Sequence, residues 1–134
     1  MTSASPPRRK LVVIADDDPA MRELLLLALE MEGHHILAVG TGHALVDQVR
    51  RIVDGGEHGG TLDLIISDVR MPEMDGVKAL QFLRDSRVRI PFILVTAFSD
   101  LWTRTTAGAY GAVLLDKPVE LKKLRAVVRA QLSA

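Results

Sequence analysis

The sequence contains no cysteine, few aromatic residues and no excess of charge of either sign. The absence of cysteine excludes disulfides, thiolate nucleophiles and zinc–thiolate sites. Basic and acidic residues are equal in number, 17 of each, so we expect no direct binding to a nucleic-acid backbone. No apolar stretch approaches the roughly 18 residues of a membrane-spanning helix, so we expect no membrane insertion. A cytoplasmic location fits these absences.

The chain has the length of one domain. Its 134 residues are 48% apolar, which is enough for a single sizeable core. Residues 1–9 contain Ser, Pro and Arg but no apolar segment of the kind that a secretory signal needs. We predict a disordered arm over residues 1–9 and one folded domain over residues 10–134.

Short β-branched runs alternate with amphipathic segments along this domain. Such alternation indicates an α/β fold with a parallel sheet, helices on both of its faces and right-handed crossovers. The i, i+3, i+4, i+7 spacing places Leu24, Leu25 and Ala28 in the core from the first helix, and Val49 and Val53 from the second. The predicted strands cover residues 10–15, 35–39, 62–68, 90–96 and 112–115, and the predicted helices cover residues 19–32, 44–53, 77–85, 99–109 and 120–132.

The stretch over residues 64–76 ends a strand in a single carboxylate. Residues 64–66 form an apolar run that is typical of a strand covered on both faces. Pro72 and Gly76 interrupt any regular structure before the next helix. Asp68 is therefore expected at the carboxyl end of a strand, which is where open α/β sheets place their sites.

Three other predicted strands lead into chemically useful groups. The first strand ends in Asp16 and Asp17, the fourth ends in Thr96, and Lys117 follows the fifth. Because the carboxyl ends of parallel strands lie at one edge of the sheet, we expect these groups to converge with Asp68. Each group alone is explained as a loop acid, a helix cap or a surface charge, but together they indicate a site.

The residue types at this edge indicate phosphoryl chemistry. Three neighbouring carboxylates repel one another unless a cation lies among them. Oxygen ligands without sulfur or a well-placed histidine favour Mg²⁺ over zinc, so we expect Asp17 and Asp68 to bind Mg²⁺, with Asp16 acting through a water. The Lys117 ammonium and the Thr96 hydroxyl suit a phosphoryl group. Attack by Asp68 would form an aspartyl phosphate.

The chain resembles the receiver domain of two-component response regulators over about residues 10–132. The resemblance rests on four motifs in the family's order and spacing, VIADDDPAMRELL, IISDVRMPEMDG, ILVTA and LLDKPV. It implies a five-stranded, doubly wound, flavodoxin-like fold with strand order 2-1-3-4-5. It also implies that a histidine kinase or a phosphotransfer protein donates the phosphoryl group, that Mg²⁺ is required, and that a downstream protein is controlled.

The resemblance also implies roles for individual residues. Asp68 is the implied phosphoacceptor, and the implied Mg²⁺ ligands are Asp17, Asp68 and the main-chain oxygen of Arg70. Asp16 and Asp17 form the acidic pair. Thr96 is the implied switch hydroxyl. Lys117 is the implied phosphate contact, and its peptide bond to the following proline is expected to be cis.

Some positions depart from the family pattern or vary within it. Leu114 stands three residues before Lys117, where the family usually has an aromatic residue, and the segment from Thr96 to Lys117 is about one residue shorter than usual. Arg70 and Phe98 each lie two residues after a site residue, at positions that influence how fast the phosphoryl group is lost in the family. We expect Phe98 to hinder the attacking water and to lengthen the lifetime of the phosphorylated state.

Other interpretations remain open at this point. The chain is expected to be a stand-alone regulator that ends after its fifth helix, but a receiver excised from a longer DNA-binding regulator or hybrid kinase has the same sequence features. A Mg²⁺-dependent phosphohydrolase with an aspartyl nucleophile would need a second acid where Arg70 stands. A degenerate receiver that only binds is disfavoured by the complete acidic set. His34 and His35 have no third ligand at metal spacing and are assigned to the surface or a sheet edge.

Overall fold

A computed structural model of the protein describes residues 9–133. Its five strands pair in parallel in the spatial order β2-β1-β3-β4-β5, which confirms the predicted doubly wound α/β fold and strand order. The strands are β1 (Leu11–Ala15), β2 (His35–Val39), β3 (Leu64–Asp68), β4 (Phe92–Thr96) and β5 (Val113–Asp116). The helices are α1 (Pro19–Glu30), α2 (Gly42–Val53), α3 (Gly76–Asp85), α4 (Leu101–Ala109) and α5 (Leu121–Ser133), with a short 3₁₀ helix over Glu57–Gly60.

The predicted arm over residues 1–9 lies outside the described residues except for Arg9. Within residues 9–133, no helix is long and apolar enough to cross a membrane.

The sheet separates two apolar cores. Because successive side chains of a strand point to opposite faces, each central strand contributes to both cores. One core lies between the sheet and α2, α3 and α4, and the other lies between the sheet and α1 and α5. Representative members of the first are Val13, Leu45, Ile65, Leu80 and Ala107, and of the second Ile14, Leu29, Ile66, Leu124 and Val128.

Two helix positions that we predicted to face the core are exposed instead. Leu24 in α1 is 45% exposed and Val53 in α2 is 39% exposed, whereas Leu29 and Ile52 are completely buried. Both helices carry apolar residues over an arc wider than the sheet covers, so spacing alone allows more than one inward face. The angle at which each helix packs on the sheet selects the face that is buried.

Aspartate side chains cap the first turns of α1 and α4. Asp18 caps α1 by accepting a hydrogen bond from the N–H of Ala20 at 3.0 Å, and Pro19 is the first residue of the helix. Asp100 caps α4 by accepting from the N–H of Thr103 at 2.7 Å. The hydrogen bonds from Thr103 hold the pKa of the Asp100 carboxyl below its ordinary value.

Helix α3 begins directly against the end of β3. A Cβ atom on Gly76 would overlap the Asp68 carbonyl oxygen and would lie 2.9 Å from Ser67 Oγ. The N–H of Gly76 donates to the carbonyl of Val69 at 2.8 Å, and Asp75 caps the helix by accepting from the next turn. The loop after Asp68 therefore returns to the strand so closely that only glycine fits at residue 76.

We predict that Gly76→Ala lowers the free energy of unfolding by about 2 kcal/mol, because the added methyl group meets backbone that cannot yield. The matched control is Gly108→Ala in α4, where the added Cβ meets nothing within 4 Å. This control should be neutral or should stabilise the protein by up to about 1 kcal/mol, through helix propensity. Urea unfolding measures both, and equal effects of the two substitutions would contradict the close approach at Gly76.

Candidate functional site

The carboxylates of Asp16, Asp17 and Asp68 meet at the carboxyl edge of the sheet. One oxygen from each lies within 4.8 Å of the others, and within residues 9–133 no other group of three His, Asp or Glu side chains comes this close. Asp16 follows β1 and Asp68 ends β3, and these strands are neighbours in the sheet. Asp16 and Asp68 are buried, whereas Asp17 is exposed, so the cluster opens to solvent on one side.

The Asp16 carboxylate is the most constrained of the three. Its Oδ1 accepts a hydrogen bond from the N–H of Asp18 at 2.9 Å, and its main-chain oxygen accepts from the Arg22 guanidinium at 2.9 Å. Burial raises the pKa of Asp16 above its ordinary value, and the charges of Asp68 and Asp17 raise it further. The hydrogen bond from Asp18 and the nearby ammonium of Lys117 oppose this rise without cancelling it.

Lys117 is the cation that faces these acids. Its Nζ donates to Asp68 Oδ2 at 3.0 Å and lies 3.8 Å from Asp16 Oδ2. Burial alone would lower the pKa of the Lys117 ammonium, but the hydrogen bond to Asp68 and the charges of Asp68, Asp16 and Asp17 outweigh it, so the pKa is raised. Lys117 therefore holds a positive charge beside Asp68 throughout the neutral pH range. The Lys117–Pro118 peptide is cis, as the resemblance implied.

Thr96 lies at the end of β4, the strand next to Asp68. Its side chain is buried, and Oγ1 accepts from the N–H of Phe98 at 3.1 Å and donates to the carbonyl of Phe98 at 3.2 Å. The carbonyl of Thr96 accepts from the main-chain N–H of Lys117 at 2.7 Å. The hydroxyl is thus held by its own loop, while the backbone of Thr96 fixes the residue that carries the site's ammonium.

An exposed arginine and an exposed aromatic ring meet beside this edge. The Arg70 guanidinium carbon lies 4.9 Å from the centroid of the Phe98 ring, which is the distance of a cation–π contact. Arg70 belongs to the loop after Asp68, and Phe98 belongs to the loop after Thr96. The positions of both residues were singled out in the sequence, but their stacking was not, because spacing says nothing about the rotamers of long exposed side chains.

The structure therefore brings the three predicted acids and the predicted lysine into one cluster and places Thr96 on the neighbouring strand end. Arg70 is exposed in the loop after Asp68. Leu114, which occupies the position of the family's aromatic residue, packs as a partly buried residue against the core beneath α2, α3 and α4, as does Tyr110.

The donor set can hold a metal ion. All three side chains offer oxygen, which is the ligand type of Mg²⁺ and Ca²⁺. Burial is the main cause of the raised pKa of Asp16, and the charges of Asp68 and Asp17 add to it, so a further cation at this edge would reduce the cost of ionising the acids. The exposed side of Asp17 leaves room for waters, which Mg²⁺ usually retains.

Comparison with known proteins gives a consistent result along the chain. A family profile of the response regulator receiver domain matches residues 12–129. The regulatory protein AtoC of Escherichia coli is 32% identical over 124 residues, which cover 90% of this chain and 25% of AtoC. The transcriptional regulatory protein TcrA of Mycobacterium tuberculosis is 35% identical over 122 residues, covering 89% of this chain and 44% of TcrA. The chain thus spans less than half the length of either relative.

A solved structure agrees in both sequence and shape. The signal receiver domain of signal transduction histidine kinase from Syntrophus aciditrophicus is 32% identical and superposes with a TM-score of 0.78. The match covers 92% of this chain and 90% of that chain.

We predict that Asp16→Asn stabilises the metal-free protein at pH 7. The raised pKa means that the folded chain binds this proton more tightly than the unfolded chain, so ionised Asp16 costs stability. That cost develops as the pH rises above the ordinary carboxyl pKa of about 3.9 and is complete above the folded-state pKa. The asparagine should raise Tm in EDTA by about 3 °C, or roughly 1 kcal/mol for a chain of this size.

The same substitution should reduce the rise in Tm that Mg²⁺ produces in the parent, because a ligand that binds the folded state more weakly stabilises it less at a given concentration. The control is Asp18→Asn, since asparagine also caps helices. It should leave both quantities unchanged. A lower metal-free Tm for Asp16→Asn would contradict the cost assigned to burying an ionised Asp16 beside two other acids.

Proposed function

The chain belongs to the receiver domain family of two-component response regulators, and from this membership we propose that Asp68 accepts a phosphoryl group from a histidine kinase or a phosphotransfer protein. The observation that supports this most strongly is the contact of the Asp68 carboxylate with the Lys117 ammonium at 3.0 Å, within a cluster of acids that opens to solvent. A structural ion pair would not need the two further carboxylates, which raise its cost.

The proposed transfer is a substitution at phosphorus. An oxygen of Asp68 forms the new P–O bond as the P–N bond to the donor's histidine breaks, and the imidazole keeps the electron pair of that bond. Negative charge on the three phosphoryl oxygens is stabilised by positioned charges and donors. Lys117 supplies the fixed charge, because its Nζ already lies between Asp68 and Asp16.

Mg²⁺ fits the oxygen ligands of this edge, and we propose that Asp17, Asp68 and the main-chain oxygen of Arg70 hold it, with Asp16 acting through a water. When bound, Mg²⁺ neutralises the carboxylates and the phosphoryl oxygens, which would otherwise repel one another. Asp16 would then contribute mainly its negative charge to the metal site. The hydrogen bond that it accepts from the N–H of Asp18 fixes the orientation of its carboxylate.

The conformational response would begin at Thr96. Its hydroxyl is held by Phe98 in this structure, and we propose that it exchanges these bonds for one to a phosphoryl oxygen. This exchange would release the loop that leads to the cap of α4 at Asp100 and shift an existing equilibrium between two positions of that loop. Leu114 offers no aromatic rotamer to couple to Thr96, so the loop itself would carry the change.

The outcome of the switch is proposed to be control of a protein partner. AtoC and TcrA are named as regulatory proteins, and the segments that match this chain are a quarter and under half of their lengths. The partner is therefore either a further domain of the same polypeptide or a separate protein.

We predict that the parent gains the mass of one phosphoryl group after incubation with acetyl phosphate and Mg²⁺, and that Asp68→Ala gains none. Asp85→Asn, a change to an exposed acid at the end of α3, should gain mass as the parent does. Intact-mass spectrometry measures all three. No gain in the parent, or a gain that persists in Asp68→Ala, would rule out Asp68 as the acceptor. Steady turnover of a small phosphate ester would indicate the phosphohydrolase instead.

We also predict that Phe98→Ala shortens the lifetime of the phosphorylated protein. Phe98 is 66% exposed and stacks with Arg70, so the pair can obstruct water on its way to the phosphorus atom. A roughly tenfold faster loss would correspond to about 1.4 kcal/mol off the barrier. Phe82→Ala, which removes a 45% exposed ring from α3, is the control, and the decay of phosphorylated mass after removal of the donor is the readout. If Phe98→Ala loses phosphate no faster than the parent, Phe98 does not obstruct the attacking water.

A further inference from the structure

A second groove lies at the amino edge of the sheet, at the opposite end of the strands from the acid cluster. It consists of two open concavities of about 310 Å³ each that share Arg9, Leu11 and His58 as lining residues. Lys10 and His35 complete one concavity, and Thr61 and Asp63 help to line the other. Nothing in the chemistry proposed for Asp68 uses these residues.

Two imidazoles that are distant in sequence meet in this groove. His35 begins β2, and His58 lies in the glycine-rich connector between α2 and β3. Their ring centroids are 5.5 Å apart, with 46° between the ring planes. The backbone of His58 has φ of 52°, a left-handed conformation that non-glycine residues rarely adopt, and the following Gly59 has φ of 81°. The connector thus places a histidine at a position whose backbone conformation glycine would adopt more easily.

The groove carries an excess of positive charge. Arg9 and Lys10 are two fixed cations, and the one carboxylate among the described lining residues is Asp63, whose Oδ2 accepts a hydrogen bond from the N–H of Leu11 at 2.8 Å. The extended chain from Lys10 to Asp16 separates the groove from the acid cluster by about 20 Å. This is more than twice the Debye length of about 8 Å at physiological ionic strength, so the acids do not cancel the charge of the groove.

The combination selects an anion over a metal ion. Two fixed cations disfavour a divalent metal, and within residues 9–133 the histidine pair has no third ligand close enough to form a three-ligand site. An arginine fork matches the oxygens of a phosphate in two parallel hydrogen bonds, and lysine adds a point charge. Each imidazole has an N–H donor for a further oxygen.

We propose that this groove binds a phosphate dianion, either as free phosphate or as the phosphate of a small phosphomonoester such as a nucleoside monophosphate. Arg9 and Lys10 supply the charge, His35 and His58 supply hydrogen-bond donors, and a planar base would stack on the imidazoles. The site is separate from Asp68, and its existence does not depend on phosphoryl transfer there.

The test is an amide chemical-shift titration of the full chain with inorganic phosphate and, separately, with AMP. EDTA keeps the acid cluster free of metal, so that its carboxylates repel both probes. The ionic strength is held constant, so that electrostatic screening does not change during the titration. We expect saturable shifts at the amides of Arg9, Lys10, His35 and His58, with a Kd of about 1 mM or tighter. Equal affinities would assign the binding to the phosphate alone, and tighter binding of AMP would add stacking on the imidazoles.

The variants are Arg9→Gln and the double variant His35→Gln/His58→Gln, each of which should weaken binding by at least about tenfold. His43→Gln is the control, because it removes an exposed imidazole of α2 that does not line the groove. If the double variant fails to fold, Arg9→Gln and Lys10→Gln in the lead-in to β1 decide the question. Shifts that do not saturate, shifts that map to Asp68, or equal affinity in Arg9→Gln and the parent would overturn the proposal.

Discussion

Three carboxylates share the carboxyl edge of the sheet, and a single ammonium lies against two of them. This crowding of like charge is unfavourable by itself, and it adds to the burial that is the main cause of the raised pKa of Asp16. A protein selected only for stability would relieve it by replacing one acid with a neutral side chain. A divalent cation would offset this repulsion, because its two charges and the Lys117 ammonium together match the three carboxylates, and the proposed function depends on this electrostatic property of the edge.

A few close backbone contacts position the residues at this edge of the sheet. Gly76 lets α3 start against the carbonyl of Asp68. The hydrogen bond from the main-chain N–H of Lys117 to the carbonyl of Thr96 ties the lysine loop to β4. Asp68 is thus held at the end of β3, and Lys117, just past the end of β5, is tied to the intervening strand β4, which keeps the separation of the two side chains short. The hydroxyl of Thr96 is held more locally, by Phe98 alone, and so is the group that can change partner at the smallest cost.

Much of the fold and of the site was predictable because both depend on short-range patterns and on the geometry of parallel sheets. The alternation of apolar runs with amphipathic segments indicated the fold class, the family motifs indicated the strand order, and the rule that strand ends share an edge brought Asp16, Asp68 and Lys117 together. The positions that failed depend on packing angles: Leu24 and Val53 are on helices whose apolar arc is wider than the surface that covers it. The contact of Arg70 with Phe98 depends on side-chain rotamers, and the contact of His35 with His58 depends on the course of the glycine-rich connector. The spacing of residues in the sequence indicates neither.

The central claim is that a phosphoryl group on Asp68 is received by Lys117 and Thr96. A crystal structure of the protein with Mg²⁺ and beryllofluoride, a non-hydrolysable stand-in for the phosphoryl group, tests it most directly. We predict that beryllofluoride binds an oxygen of Asp68, that both Lys117 Nζ and Thr96 Oγ1 form hydrogen bonds to its fluorines, and that the hydrogen bonds from Thr96 to Phe98 are broken. A fully occupied adduct whose fluorines contact neither group, or crystals grown with both reagents in which Asp68 stays unmodified, would contradict it.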